Sequence, residues 1–279
     1  MEDKNILMCA KIVGGTAVAF VISYVAWKRL RRHAVKEYPE DTVVFHQPGR
    51  GPNVPSMTPF AVKLETYLRM ANIPYVNVFS MERSKKDKFP WIEYNGEQVA
   101  DTEFCIEYLN RRLGIDLDKK FTEREKGQAR AFQKMLEENT YWVLVLDRWV
   151  FNKKYPIKEV FKLPIYLWFL AKRNITNQAY AAGMGRHTQE EVYHIMDLDL
   201  KALSNFLGQN KFLLGDTPCQ ADCAVFGQLT EMYWQSFGTE MLTIIKRYKN
   251  LCDYCERMKE KFWPDWDKCT LEGIKNATK

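Results

Sequence analysis

The stretch "KFPWIEYNGEQVADTEFCIEYL", residues 88–109, decides the fold. Phe89 to Tyr94 reads as a strand of aromatic and β-branched residues. Asn95-Gly96 is a two-residue hairpin signal, because a type I′ turn needs positive φ at both central positions. Glu97 to Ala100 then returns as the antiparallel partner. Asp101-Thr102 opens an amphipathic helix carrying Phe104, Ile106, Tyr108 and Leu109.

Working outward toward the N-terminus, Tyr75 to Phe79 is a second strand and Thr42 to Phe45 a buried first one. Between them Phe60, Leu64, Tyr67, Leu68 and Ala71 recur at helical spacing, with Lys63, Glu65 and Arg69 on the other face. A strand–helix–strand path implies parallel pairing through a right-handed crossover. Residues 42–112 are thus expected to form an α/β domain in the order strand, helix, strand, strand, strand, helix. Its first helix is entered through "VPSMTPF", residues 54–60, after a Gly- and Pro-rich loop. Thr58 suits an N-cap, and Pro59 suits the first helical position, where its missing N–H would be unpaired anyway.

Toward the C-terminus the pattern from Phe121 onward is helical only. Thr122 with Glu125 and Thr188 with Glu191 are capping boxes, opening helices to about Trp149 and about Leu207. The aromatic-rich segment between them, with Pro156 and Pro164, reads as broken helix. Ala221 to Gln235 is apolar nearly all round, as the central helix of a bundle would be. Two shorter amphipathic helices follow, and "FWPDW" at 262–266 is expected to pack a tail. An all-helical domain over residues 121–265 results.

The chain has 279 residues, 46% of them hydrophobic, and a formal charge of +6, enough to build a sizeable core. Lys28, Arg29, Arg31, Arg32 and Lys36 supply most of that excess, so the body is near neutral and no nucleic-acid partner is expected. These cations follow an uncharged run from Ile12 to Trp27, which as a helix covers roughly 24 Å and reaches membrane thickness if it begins at Ile6. Residues 6–27 are read as a transmembrane anchor and 28–41 as a basic juxtamembrane linker, with the folded body in the cytosol by the placement of the cations. A cleaved signal peptide would carry its cations before the apolar run.

Seven scattered cysteines in a chain of this length read as reduced thiols. The pairs Cys252/Cys255 and Cys219/Cys223 fall at apolar positions of separate helices, so core packing is favoured over metal ligation, and no metal site is expected. Asn174 and Asn276 lie in glycosylation triplets. No Gly-rich phosphate loop, Ser/His/Asp set or paired-carboxylate site is present in the sequence pattern.

A mixed sheet in this order, with a proline beginning the third strand and a helical second domain, resembles the glutathione transferase architecture, a thioredoxin-like domain followed by an all-α one. "PSMTPF" (55–60) is similar to the family's active-site passage, "FPW" (89–91) to its cis-proline position, and "DTEFCIEYL" (101–109) to its acidic-Ser/Thr turn. "LLGDTPCQADCAVFGQL" (213–229) is similar to its helical core motif, with Cys219 where Ser or Thr is usual and Asp222 retained. More narrowly, "HQPGRGPNVPSMTPFAVKLETYLRM" (46–70) and the opening stretch resemble the branch of the failed-axon-connections proteins, the nematode cadmium-responsive lysosomal proteins and the metaxins.

That resemblance implies glutathione as the ligand. Thr58, or Ser56 if the loop turns differently, would hold the thiolate. The main chain of Phe89, before a cis Pro90, would pair with the peptide, and Asp101 with Thr102 would hold the γ-glutamyl end. Two readings of Thr58 stand open, a helix cap without chemistry and a thiol donor; threonine cannot form the mixed disulfide that cysteine would. The resemblance further implies a homodimer, a lysosomal membrane location and a metal or stress response. It leaves two functions open: a transferase joining glutathione to an electrophile, and a non-catalytic relative acting in stress protection or protein contacts at a membrane.

Overall fold

A computed structural model of the chain describes residues 38–154 and 156–277. The expected anchor at 6–27 and all but the last residues of the linker lie outside them. The described residues from 41 onward form one compact unit. Among the described residues no helix is long and apolar enough to cross a membrane.

The sheet has four strands in the order β2-β1-β3-β4: β1 Val43–Gln47, β2 Tyr75–Phe79, β3 Trp91–Tyr94 and β4 Glu97–Ala100. β1 pairs with β2 in parallel, Val44 opposite Val76, and with β3 antiparallel, Phe45 opposite Ile92. The β3–β4 hairpin turns at Asn95 (φ 47°) and Gly96 (φ 84°), the two positive angles that the dipeptide anticipates. The parallel pair encloses the crossover helix α1, Pro59–Met70; α2, Thr102–Leu113, follows β4. Asp101 Oδ1 accepts the Glu103 N–H at 3.1 Å, and Gly114 ends α2 in the left-handed region.

The helical part begins with α3, Glu123–Lys134, capped by the reciprocal Thr122–Glu125 box. The helical path continues through a π-helical segment Met135–Thr140, α4 Tyr141–Leu146, and a second π-helical segment Asp147–Phe151. The prolines break the next stretch into α5, Pro156–Val160, and α6, Ile165–Ala181. Then come α7 Gln189–Leu207, α8 Gln220–Tyr233, α9 Glu240–Lys246, α10 Lys249–Phe262 and α11 Leu271–Ala277. In α8, Ala221 through Met232 are all buried, as its uniform apolar character requires.

One core lies under the sheet, around Phe45, Leu64, Tyr67, Leu68, Ile92, Ile106 and Leu109, and reaches Cys223 of α8. The other fills the helical part around Leu136, Leu144, Met196, Leu203, Phe226 and Tyr254. Asp222 ties the motif at 213–229 together: it accepts the N–H groups of Leu213 and Cys219 at 2.9 and 2.8 Å and the Tyr254 hydroxyl at 2.9 Å.

α1 departs from the sequence reading. Lys63, Glu65 and Arg69 were expected on a solvent face, but Lys63 is 2% exposed and Glu65 fully buried. The reason is that α1 lies between the sheet and α8, so both of its faces are covered. Each polar side chain has found a partner there. Glu65 receives a bidentate Arg50 guanidinium at 2.7 and 3.1 Å and hydrogen bonds from Gln47, Tyr75 and Asn77. Arg69 lies over the Trp263 ring at 3.9 Å and pairs with Asp265, which fixes the "FWPDW" tail to α1. The tail goes on to hold the loop before α1, through Leu271 N–H to Gly51 O at 2.9 Å and Glu272 N–H to Pro52 O at 3.0 Å.

Candidate functional site

Thr58 occupies the N-cap position of α1 with extended backbone (φ −119°, ψ 124°), and its carbonyl accepts the Ala61 N–H at 3.0 Å. Its side chain makes no capping hydrogen bond. The residue therefore stands where a cap belongs without performing that task. Ser56 is fully buried two residues earlier, its Oγ facing the Thr58 N–H at 3.5 Å. The loop "RGPNVPS" packs inward, with Gly51, Val54, Pro55, Ser56 and Met57 buried, and Asn53 N–H bonded to Gln235 Oε1 at 2.7 Å.

Thr58 opens onto a cleft of about 120 Å³. Pro48, Met57 and Pro59 form its wall on the sheet side; Tyr141, Leu144, Val145, Arg148, Trp149, Ile157 and Phe161 form the helical side. The lining is mostly apolar, and the lining residues that carry a polar side-chain group are Thr58, Tyr141, Arg148 and Trp149. Burial pushes the Tyr141 hydroxyl above its ordinary pKa, so it stays a neutral donor through physiological pH. Arg148 is anchored by Glu231 at 2.6 Å and by the carbonyls of Met57, Glu231 and Gln235 at 3.1–3.2 Å. It thereby clamps the Thr58 loop, α8 and the following turn together. Sequence reading missed this helical wall; the one available signal was an arginine embedded in the apolar run around 143–150.

The remaining expected residues lie at the β3 and α2 starts. The Phe89–Pro90 bond is cis, with Phe89 half-buried and Pro90 buried. Asp101 has φ 82° and spends one carboxylate oxygen on the Glu103 N–H; Thr102 is buried beside it. The 120 Å³ cleft brings in Thr58 and none of Phe89, Pro90, Asp101 or Thr102. The charged loop at 80–88 frames this second region, with Arg83 5.7 Å from the Phe89 ring, Lys86 4.3 Å from the Phe104 ring and Trp91 Nε1 bonded to Glu82 O at 3.0 Å.

Two stretches of the chain match known families. A glutathione S-transferase N-terminal domain profile matches residues 59–154, and a glutathione S-transferase C-terminal domain profile matches residues 196–258. Failed axon connections of Drosophila melanogaster is 30% identical over 84% of this chain, which spans 61% of that protein's length. Metaxin-2 of Mus musculus is 22% identical, covering 85% of this chain and 95% of its own. The chain belongs to the glutathione-transferase-like superfamily, on the failed-axon-connections and metaxin branch.

Within that superfamily, the isoprene-epoxide–glutathione S-transferase of Rhodococcus sp. is 27% identical over 79% of this chain and 98% of its own length. Among solved structures, rice GST1 in complex with glutathione superposes with a TM-score of 0.58 at 12% identity, covering 86% of this chain and 96% of that one. A Bombyx mori glutathione transferase gives 0.55 at 16% identity, with 86% and 98% covered. At such identity the likeness speaks of fold alone.

Proposed function

We propose that this protein is a membrane-anchored, glutathione-transferase-like protein that binds a glutathione-type thiol, with Thr58 as the donor to sulfur and the cleft beside it taking an apolar partner. The observation that carries the reading is the Thr58 hydroxyl, which stands at an N-cap, makes no cap bond and opens onto a cleft. A hydroxyl placed so favours the ionised thiol by hydrogen bonding to it. Phe89 with Pro90 would offer main-chain pairing to the peptide, and Thr102 with Asp101 would receive the γ-glutamyl end at the N-terminus of α2.

A second reading, a non-catalytic transferase-fold protein, is favoured by the cleft's small volume and by the metaxin and failed-axon-connections relatives. Anchoring through residues 6–27 rests on the uncharged run and the cations behind it. Neither a lysosomal placement nor a cadmium response has a counterpart in the names of the relatives above. Calorimetric titration of the full-length chain with glutathione tests the proposal. Saturable heat at millimolar concentration or below, weakened in T58A, supports thiol binding at this site, and the absence of any heat at millimolar glutathione leaves the non-catalytic reading.

A further inference from the structure

α6 is held to the molecule by one face. Trp168 is fully buried and stacks on Trp149, ring centroids 4.9 Å apart with planes 6° from parallel, and Ala179 is buried further along. On another face Ile165, Tyr166, Phe169 and Leu170 are 52%, 64%, 59% and 64% exposed. Spacing i, i+1, i+4, i+5 makes these four one continuous stripe. Isolated exposed apolar residues need no explanation, but a contiguous patch of this kind marks a contact surface.

The chain around the stripe is one-sided in charge. From residue 153 to residue 186 the sequence carries Lys153, Lys154, Lys158, Lys162, Lys172, Arg173 and Arg186 against the single acid Glu159. Lys158 pairs with that acid at 2.9 Å; Lys153, Lys154, Lys162 and Arg173 are exposed. Arg173 follows Phe169 by one turn on the same face, and Lys162 precedes the helix at its other end. An apolar centre bounded by cations, on a body otherwise near neutral, is the pattern of a helix that lies in a membrane interface.

We propose that the exposed face of α6 docks on an anionic lipid bilayer, placing Ile165, Tyr166, Phe169 and Leu170 at the headgroup–acyl boundary and Lys162 and Arg173 among acidic headgroups. Charge complementarity selects this occupant. A second copy of the chain meeting the same face by a two-fold axis would set cations against cations. The uncharged run at 12–27 offers no acid to answer them and is itself followed by five cations. A bilayer containing phosphatidylserine supplies both the apolar depth and the negative surface. The contact would orient the folded body on the membrane and is independent of whether the Thr58 cleft binds a thiol.

The test is hydroxyl-radical footprinting of the full-length chain in nanodiscs of phosphatidylcholine alone and with added phosphatidylserine. Tyr166 and Phe169 are expected to lose several-fold in oxidation on anionic discs, while Met81, 66% exposed on the loop at 80–88, does not change. K162E/R173E should restore most of the labelling, since each cation near an anionic surface contributes about fivefold in partitioning, and unchanged circular dichroism would show that the double variant folds. Equal labelling of Tyr166 and Phe169 on both discs overturns the proposal. So does protection that rises with protein concentration in the absence of lipid, which assigns the face to a second copy.

Discussion

The Lys63 ammonium lies 2.7 Å from a carboxylate oxygen of Glu137, with both side chains less than 5% exposed. Glu103 closes on the same ammonium at 2.8 Å, and Gln133 donates to both acids. One cation from α1 thus neutralises acids from α2 and from the π-helical segment, joining the sheet-bearing part to the helical part. Burial alone would lower the Lys63 pKa, but the two carboxylates hold it above its ordinary value; burial would raise the Glu103 carboxyl, but Lys63, with Gln133 and Arg130, keeps it below the usual carboxylate range.

Replacing Lys63 by methionine leaves Glu137 to Lys134 and Glu103 to Arg130, 3.0 and 2.7 Å away but more exposed, and a loss of about 3 kcal/mol at pH 7, the low end for a broken buried pair, is expected from the denaturant midpoint. In the wild type the depressed Glu103 contributes stability above its unfolded pKa that is lost as pH falls through its folded one. K63M loses the Lys63 share of that contribution, keeping only what Arg130 and Gln133 supply, so the gap between the two proteins should narrow toward pH 4. A constant gap across pH would assign the loss to packing alone.

Gly227 sets how closely α8 approaches α1. A Cβ there would come 2.5 Å from Pro59 O and 3.0 Å from Lys63 N, both backbone atoms that cannot rotate away. G227A is therefore expected to cost about 1–3 kcal/mol by forcing the helices apart, although alanine is the better helix former. Because Pro59 follows Thr58, the same shift should loosen the cleft, and glutathione affinity should fall together with the melting temperature. A stabilised G227A would show that the helices can separate without cost.

Much of this architecture was legible because it is written in local signals. Asn95-Gly96 specifies its turn by φ alone, and Thr122-Glu125 specifies a helix start by two reciprocal bonds. α1 defeated the same reading, since polar residues at helical spacing mark a solvent face only where solvent is present, and here Lys63 lies against α8, Glu65 against Arg50 and the β1 and β2 side chains, and Arg69 against the tail. The helical wall of the cleft was hidden for a different reason. Tyr141, Arg148 and Phe161 reach one place through two π-helical segments and a proline-broken turn, which remove the fixed period that pattern reading needs.

Thr58→Ala separates capping from ligand binding. A working cap is worth about 1 kcal/mol, but this side chain makes no cap bond, so T58A should stay within about 0.5 kcal/mol of the wild type in thermal melts. Bound thiol should be affected instead. The ultraviolet thiolate band of glutathione on the protein should shift to higher pH in T58A if the hydroxyl favours the ionised sulfur. A stability loss near that of a full cap, with the thiolate band unmoved, would return Thr58 to a structural role.

Asp147 supplies a pH signature. Its side chain is fully buried; Tyr193 donates to one oxygen at 2.7 Å, and the Thr239 hydroxyl beside the carboxylate gives its proton to Ser236 O at 2.9 Å. Neighbouring Arg148 is committed to Glu231. Burial accordingly pushes the Asp147 carboxyl up to about 6 from its ordinary 3.8. A folded pKa above the unfolded one means that the native state holds the proton more tightly. The contribution to stability is fully present below about pH 4 and is lost as pH rises through 6. The pKa difference corresponds to roughly 2–3 kcal/mol by pH 7. D147N keeps an acceptor for Tyr193 and has no proton to lose, so its stability should lack this decline. Urea midpoints between pH 4 and pH 7 should bring the variant from near equality with the wild type to an advantage of about 2 kcal/mol. Parallel curves over that interval would mean that Asp147 is ionised throughout and that a donor reaches its second oxygen in solution.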